Sequence, residues 1–193
     1  MSESTPRGRR YGEGRQALIE ATIRVVARFG LRGLTHRAVA REAGVTHGLV
    51  TFHFGSRQEL IREALVVAAR ESIERSALDP ASGSLADLVA TLPSLVASDE
   101  EGQAFQFELA LEARRNPDLL PAARELYRAY LDATADSLRH LGIEAGDDLT
   151  RLVFAALDGL VFQQLLFGDP QQTERSIAEL RTILAQLRLP VAG

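Results

Sequence analysis

The chain of 193 residues contains no cysteine. That absence removes a disulfide framework, a thiolate nucleophile and every zinc or iron–sulfur site built on thiolates. Lysine is missing too, since all 22 Lys and Arg positions are Arg, a bias we attribute to codon usage. Histidine is scarce at four residues, and no Glu-x-x-His pair occurs, so di-iron bundles and zinc hydrolases lack their ligands. There is no Gly-rich phosphate loop and no serine elbow. We therefore expect no catalytic residue, no metal and no cofactor. No apolar run approaches the ~18 residues of a membrane span, and residues 1–14 are polar, without the apolar core of a secretory signal. The expectation is a soluble cytoplasmic protein with no membrane partner.

What remains is an ordinary globular balance, 46% hydrophobic and 25% charged, far from the composition of disordered chains. The net charge of −4 conceals an asymmetry: residues 1–60 carry ten Arg against five acids, and residues 61–193 carry twelve against twenty-one. A basic end followed by an acidic end is expected where one touches phosphate and the other is repelled by it. Chance clustering of surface charge is the bland alternative.

Apolar positions at Leu18, Ala21, Thr22, Val25, Val26 and Phe29 follow i, i+3, i+4, i+7 spacing and predict a helix over 15–29, ended by Gly30. Thr35 caps a second short helix closed by Gly44, and Thr46 caps a third over 46–52. Ser56 with Glu59 three residues on reads as a capping box opening a long helix over 57–76. Five more helices are expected over 85–97, 101–115, 119–141, 147–167 and 172–187, the first kinked or shortened by Pro93. No strand pattern or repeat is found. The fold class is all-α with about nine helices: a three-helix head over 1–56 and a helical body over 57–193.

The segment LTHRAVAREAGVTHGLVTFHFGSRQEL, residues 34–60, is a helix, a tight turn and a second helix, the arrangement that lays a recognition helix in the major groove. Gly44 can take the left-handed turn, Val45 fills the angle, and Ala40 keeps the helices close. Such pairs also occur as plain packing in helical proteins. The whole string, however, resembles the helix-turn-helix of the TetR family of transcriptional regulators. Thr35, Val39, Ala40, Ala43, Gly44, Val45, Thr46, Gly48, Phe52, His53, Phe54, Ser56, Arg57 and Leu60 match or nearly match its pattern in order. Two positions depart from it. Thr51 stands where many relatives carry a tyrosine that touches DNA, and Arg57 replaces a lysine, keeping the charge on a planar fork.

The resemblance implies that Arg37, His47, Gly48, Leu49 and Thr51 face bases, with Thr35, Thr46, His53 and Arg57 nearer the DNA backbone. A solvated or core position is the alternative for His47 and His53. Arg7, Arg9, Arg10 and Arg15 form either an arm reaching phosphate or the minor groove, or a solvated tail.

One recognition helix reads few base pairs, so a dimer on a pseudo-palindromic double-stranded operator is expected. Leu149, Val153, Leu157 and Val161, with Ile177, Leu180, Leu184 and Leu187, are the candidate dimer face; packing inside one subunit is the alternative. By the same resemblance, Phe105, Glu108, Leu111, Glu112, Tyr127, Tyr130, Phe154, Asp158 and Phe162, together with Phe107, surround a pocket for an unknown small-molecule effector. Asp158 stands in an apolar stretch, where a carboxylate must be paired, hydrated or neutralised. It either bonds a neighbouring helix or anchors a ligand. The family is mostly repressors relieved by ligands, which implies repression here; a ligand-independent regulator run by a protein partner is the rival.

Overall fold

A computed structural model describes residues 11–75, 78 and 84–187; Arg7, Arg9, Arg10 and Ser76 lie outside them. Among the described residues there are nine α-helices: α1 (Tyr11–Gly33), α2 (His36–Ala43), α3 (His47–Phe54), α4 (Arg57–Arg75), α5 (Leu92–Ser98), α6 (Glu100–Ala113), α7 (Leu120–His140), α8 (Asp147–Phe167) and α9 (Pro170–Ala185), with one 3₁₀ turn at Pro117–Leu119.

Helix α1 buries Leu18, Ala21, Thr22, Val25 and Val26 as the spacing predicts, but Phe29 is 64% exposed. The reason lies next door. Gly30 has φ 65° and ψ 173°, a region closed to residues with a Cβ, so the chain bends there and inserts Leu31 and Leu34 into the core instead. Thr22 is tolerated inside because its hydroxyl donates to the Leu18 carbonyl at 2.8 Å.

The predicted helix over 85–97 is shorter: residues 85–91 are turns, and α5 starts at Leu92 with Pro93 in its first turn, where a missing N–H costs nothing. Helix α9 starts at Pro170, two residues before its predicted start, with the Asp169 side chain accepting from Gln172 N at 2.9 Å. The capping box at α4 is half formed. Ser56 Oγ accepts from Glu59 N at 3.1 Å, whereas the Glu59 carboxylate turns to Arg62 at 2.6 Å.

Two apolar clusters hold the chain together. The first joins α1 to α4 with Phe105, Leu109 and Ala113 of α6 and Ala123 and Leu126 of α7; burying one such large side chain contributes roughly 1.5–3 kcal/mol. The second gathers Leu88, Leu92, Leu95, Leu138, Leu141, Val153, Leu157, Ile177 and Leu184. Helix α6 touches both clusters, since its Phe107 packs against the second, and Arg28 of α1 meets Glu101 of α6 at 2.9 Å beside the first. By length and composition α8 alone among the described helices could cross a membrane, although only 33% of that window is buried in the subunit. The sequence expectation of no such run is corrected to this extent.

Candidate functional site

The head presents α3 outward. Thr35 caps α2 through its side chain, which accepts from Ala38 N at 3.0 Å. Gly44 ends α2 in the left-handed conformation, φ 67° and ψ 34°, and the following Val45 N–H reaches back to the Ala40 carbonyl at 2.9 Å. This closure satisfies carbonyls that the helix end leaves open. It also sets the angle at which α3 departs. Val50 and Phe54 are buried beneath α3, while Arg37, His47, Gly48 and Thr51 are exposed. Nothing lies within 4 Å of where a Gly48 side chain would begin, so that face of α3 is bare backbone open to close approach.

Other sites differ from the sequence reading. Leu49 is half-buried against the first core, and its lower part packs rather than projects. Thr46 makes no side-chain cap bond, contrary to expectation, so its exposed hydroxyl stands free at the N-terminus of α3, where backbone N–H groups favour phosphate. His53 is half-buried at the edge of the head, with its ring 5.4 Å from Phe52. Arg57 is turned inward: its Nε donates to the Leu34 carbonyl at 3.1 Å and its Nη2 to the Leu31 carbonyl at 2.5 Å. The fork expected on phosphate ties the end of α1 to the start of α4. Arg15 is likewise engaged, paired with Glu63 and lying 5.4 Å over the Phe54 ring, and so is no part of a free arm.

Two neighbours were missed. Phe52 is 71% exposed at the outer end of α3; the motif pattern includes it without marking it as a contact, and its place next to Thr51 is the signal the sequence offers. His36 on α2 sets its Nδ1 3.4 Å from Thr51 Oγ1 and its ring 5.9 Å from that of His47, steadying the recognition face from behind. Arg24 Nε bonds Glu42 at 2.7 Å and so pins α2 to α1; that bond holds the Glu42 carboxyl below its ordinary value.

In the body a small cleft of about 60 Å³ is lined by Ser72, Gln103, Gln106, Phe107, Tyr127, Tyr130, Phe154 and Asp158 among others. Phe154 stacks on Tyr130 and meets Tyr127 edge-on, both at 5.6 Å. The cleft therefore gathers Tyr127, Tyr130, Phe154 and Asp158 of the sequence set and leaves the rest out. Phe105 is fully buried in the first core, Leu111 is exposed, and Phe162 sits at the surface with its ring 5.1 Å from Phe107. Glu108 lies beside Gly30, and Glu112 pairs with Arg115 at 3.3 Å. The physical reason is the rotation of α6. Positions 103, 106 and 107 face the cleft, 105 and 109 enter the first core, 108 and 112 lie on the same side of the helix as 105, towards α1, and 111 is exposed.

The polar lining is largely self-satisfied. Tyr130 donates to Gln106 Oε1 at 2.7 Å and Gln103 Nε2 donates to Ser72 Oγ at 3.2 Å. Burial pushes Tyr130 up to about 12 and raises Tyr127 as well. Asp158 is raised by burial alone.

The expected dimer residues divide sharply. Val153, Leu157, Val161, Ile177 and Leu184 are buried in the subunit's own second core, and Leu149 and Leu180 pack against it; of the set only Leu187 is exposed. The 3-4-3 stripe of α9 is an internal seam. The unpartnered side of α8 carries Leu152, Ala155, Ala156, Gly159, Gln163 and Leu166, with Ile183 exposed on α9.

Two family models match the chain: "Bacterial regulatory proteins, tetR family" over residues 18–64 and "Tetracyclin repressor-like, C-terminal domain" over residues 80–188. The HTH-type nicotine-responsive transcriptional repressor HdnoR of Paenarthrobacter nicotinovorans is 29% identical, covering 81% of this chain and 84% of its own length. The regulator BetI of Agrobacterium fabrum is 30% identical, covering 81% and 79%. Among solved structures, a TetR-family member from Streptomyces coelicolor aligns with TM-score 0.71 and 32% identity over 92% of this chain and 99% of its own. The multidrug binding protein EbrR in complex with imidazole aligns with TM-score 0.68 and 32% identity over 93% and 98%. With its head and most of its body matched in this way, the chain belongs to the TetR family of bacterial transcriptional regulators.

Proposed function

We propose that this chain works in the cytoplasm as a homodimeric repressor, without catalytic activity, that leaves a pseudo-palindromic operator when a small molecule enters the cleft beside Asp158. The observation that carries the reading is a shared lever. Helix α6 lines the cleft with Gln103, Gln106 and Phe107 and packs against α1 of the head with Phe105 and Leu109. Helix α4 begins under the head at Arg57 and ends at the cleft with Ser72. A ligand that prefers one arrangement of these helices shifts the population of head positions, and affinity for a fixed operator spacing falls.

Arg37, His47, Gly48, Thr51 and Phe52 supply base-edge contacts in this reading, with Leu49 adding its exposed part. Thr35, Thr46 and His53 lie nearer the phosphates. The boundary at residues 56 and 57 marks the change of task, from reading DNA to sensing and pairing. The dimer face is the stripe Leu152, Ala156, Gly159, Gln163 and Leu166 with Ile183, whose small residues let two α8 helices approach closely. Relatives support the effector arm: one is named nicotine-responsive, and EbrR is described in complexes with proflavin, ethidium and malachite green.

DNA selection with the purified protein tests the proposal. The expected product is one symmetric site with two half-sites on the same side of the duplex, bound by a dimer and released by a compound that also raises the melting temperature. An enriched asymmetric site bound by a lone subunit, or release that no cleft-binding compound brings about, would overturn it.

A further inference from the structure

We propose that the effector taken by this cleft carries a positive charge, held between the Asp158 carboxylate and the ring faces of Tyr127, Tyr130 and Phe154. The inference rests on reading the cleft as the effector site and adds the chemical class of its ligand. It follows from what each lining group already does. Gln106 and Tyr130 bond one another, and Gln103 bonds Ser72, so these neutral groups have partners before any ligand arrives. Leu78, Val89, Leu92, Leu126, Leu157 and Val161 are apolar. Among the described residues of the lining Asp158 is the one acidic group, and none is Arg in a chain with 22 of them. Among the described residues no cation pairs with it.

A half-buried carboxylate facing apolar walls without a cation is costly unless something compensates it. Its elevated proton affinity reports the same cost. Aromatic rings beside it offer negative faces, and a cation there is attracted by both carboxylate and rings. Tyr130 lies nearly parallel to Phe154, with 15° between planes, and Tyr127 stands edge-on to it, so three aromatic rings line the space beside the carboxylate. An anionic ligand meets like charge and no cation. A neutral apolar ligand strands the carboxylate further from water. The body beyond residue 60, with twelve Arg against twenty-one acids, also raises the local concentration of cations.

A matched pair of compounds isolates the charge. Phenyltrimethylammonium and tert-butylbenzene share one shape and differ by the central nitrogen and its charge. We expect the full-length protein, titrated calorimetrically, to bind the cation at least tenfold more tightly than the neutral isostere. Asp158→Asn should reduce that preference to less than threefold, by weakening the cation and by tightening tert-butylbenzene, which no longer has a charge to strand, and Asp158→Glu should keep part of the preference. Circular dichroism of each variant separates loss of fold from loss of binding. Equal binding of the two compounds by the wild type, or a preference that survives Asp158→Asn, overturns the charge assignment and leaves the cleft as a neutral effector site. Failure of both compounds to bind overturns the cleft reading and this inference with it.

Discussion

At the scale of single residues, Asp158 sets ligand recognition against stability. Its folded-state proton affinity is raised above the ordinary value of 3.8 by burial. The folded chain then holds that proton at pH values where the unfolded chain has released it, so stability falls as pH rises from the ordinary value through the raised one. The other titratable groups lining the cleft are Tyr127 and Tyr130, both raised, and neutral throughout that window. Asp158→Asn should therefore match wild-type stability in acid and exceed it at neutrality, as urea denaturation at the two pH values will show; a variant less stable at neutrality would mean that the carboxylate is favourably paired. Arg57 carries a second prediction. Removing its two bonds to the Leu31 and Leu34 carbonyls should cost about 2 kcal/mol, and Arg57→Lys should recover little because one ammonium cannot span both acceptors. His47→Ala and Arg37→Ala, on the exposed face, should leave stability unchanged and relax preference at particular base pairs by about 1–3 kcal/mol, read by competition against single-base operator variants. If His47→Ala instead weakened all sequences equally, its contact would be to phosphate.

At the scale of elements, the short helices of the head were legible because their signals are local. Thr35, Gly44 and Ser56 act on groups within a few residues, and the structure places each where its chemistry demands. Helix α8 was legible throughout for the same reason, bounded by Gly146 and Gly168. What was not legible was rotation. Helix α6 has apolar or polar residues on every side, so its periodicity does not say which side faces a cleft, and Glu108, Leu111 and Glu112 were assigned to the wrong one. The α9 stripe failed differently: Ile177 and Leu184 do pack in a seam, but the seam is inside the subunit, and a heptad pattern carries no mark of whose helix it meets. The bend after α1 is a long-range constraint as well. Gly30 needs positive φ, and Glu108 Oε2 lies 3.3 Å from where its Cβ would be. Gly30→Ala should cost roughly 1–3 kcal/mol from backbone strain, while the Glu108 carboxylate, at the end of an exposed side chain, turns aside. Thermal melting reads the loss; an unchanged melting temperature would mean that the bend is not held at positive φ.

For the whole molecule, the apolar side of α8 is the feature that one subunit does not explain. Leu152 and Leu166 are 67% and 61% exposed and fall on one stripe with Ala156, Gly159 and Gln163. Burying such a stripe against its symmetric copy suits an isologous interface, where each contact is made twice, and a stable one needs about 1,200–2,000 Å² in total. The same burial makes DNA affinity a property of the pair, because two heads held together gain the effective concentration that one lacks. Leu152→Glu and Leu166→Glu, introduced together, should yield folded monomers in sedimentation equilibrium, since neither side chain belongs to either core. Operator affinity should then fall by at least a hundredfold, while binding of cationic compounds in the cleft falls far less, because its lining comes from one subunit. Leu157→Ala is the contrasting change: Leu157 is 5% exposed in the second core, so it should cost about 2–5 kcal/mol of stability and leave any folded fraction dimeric. If the charged pair of substitutions left the protein a dimer with full operator affinity, the α8 stripe would not be the interface.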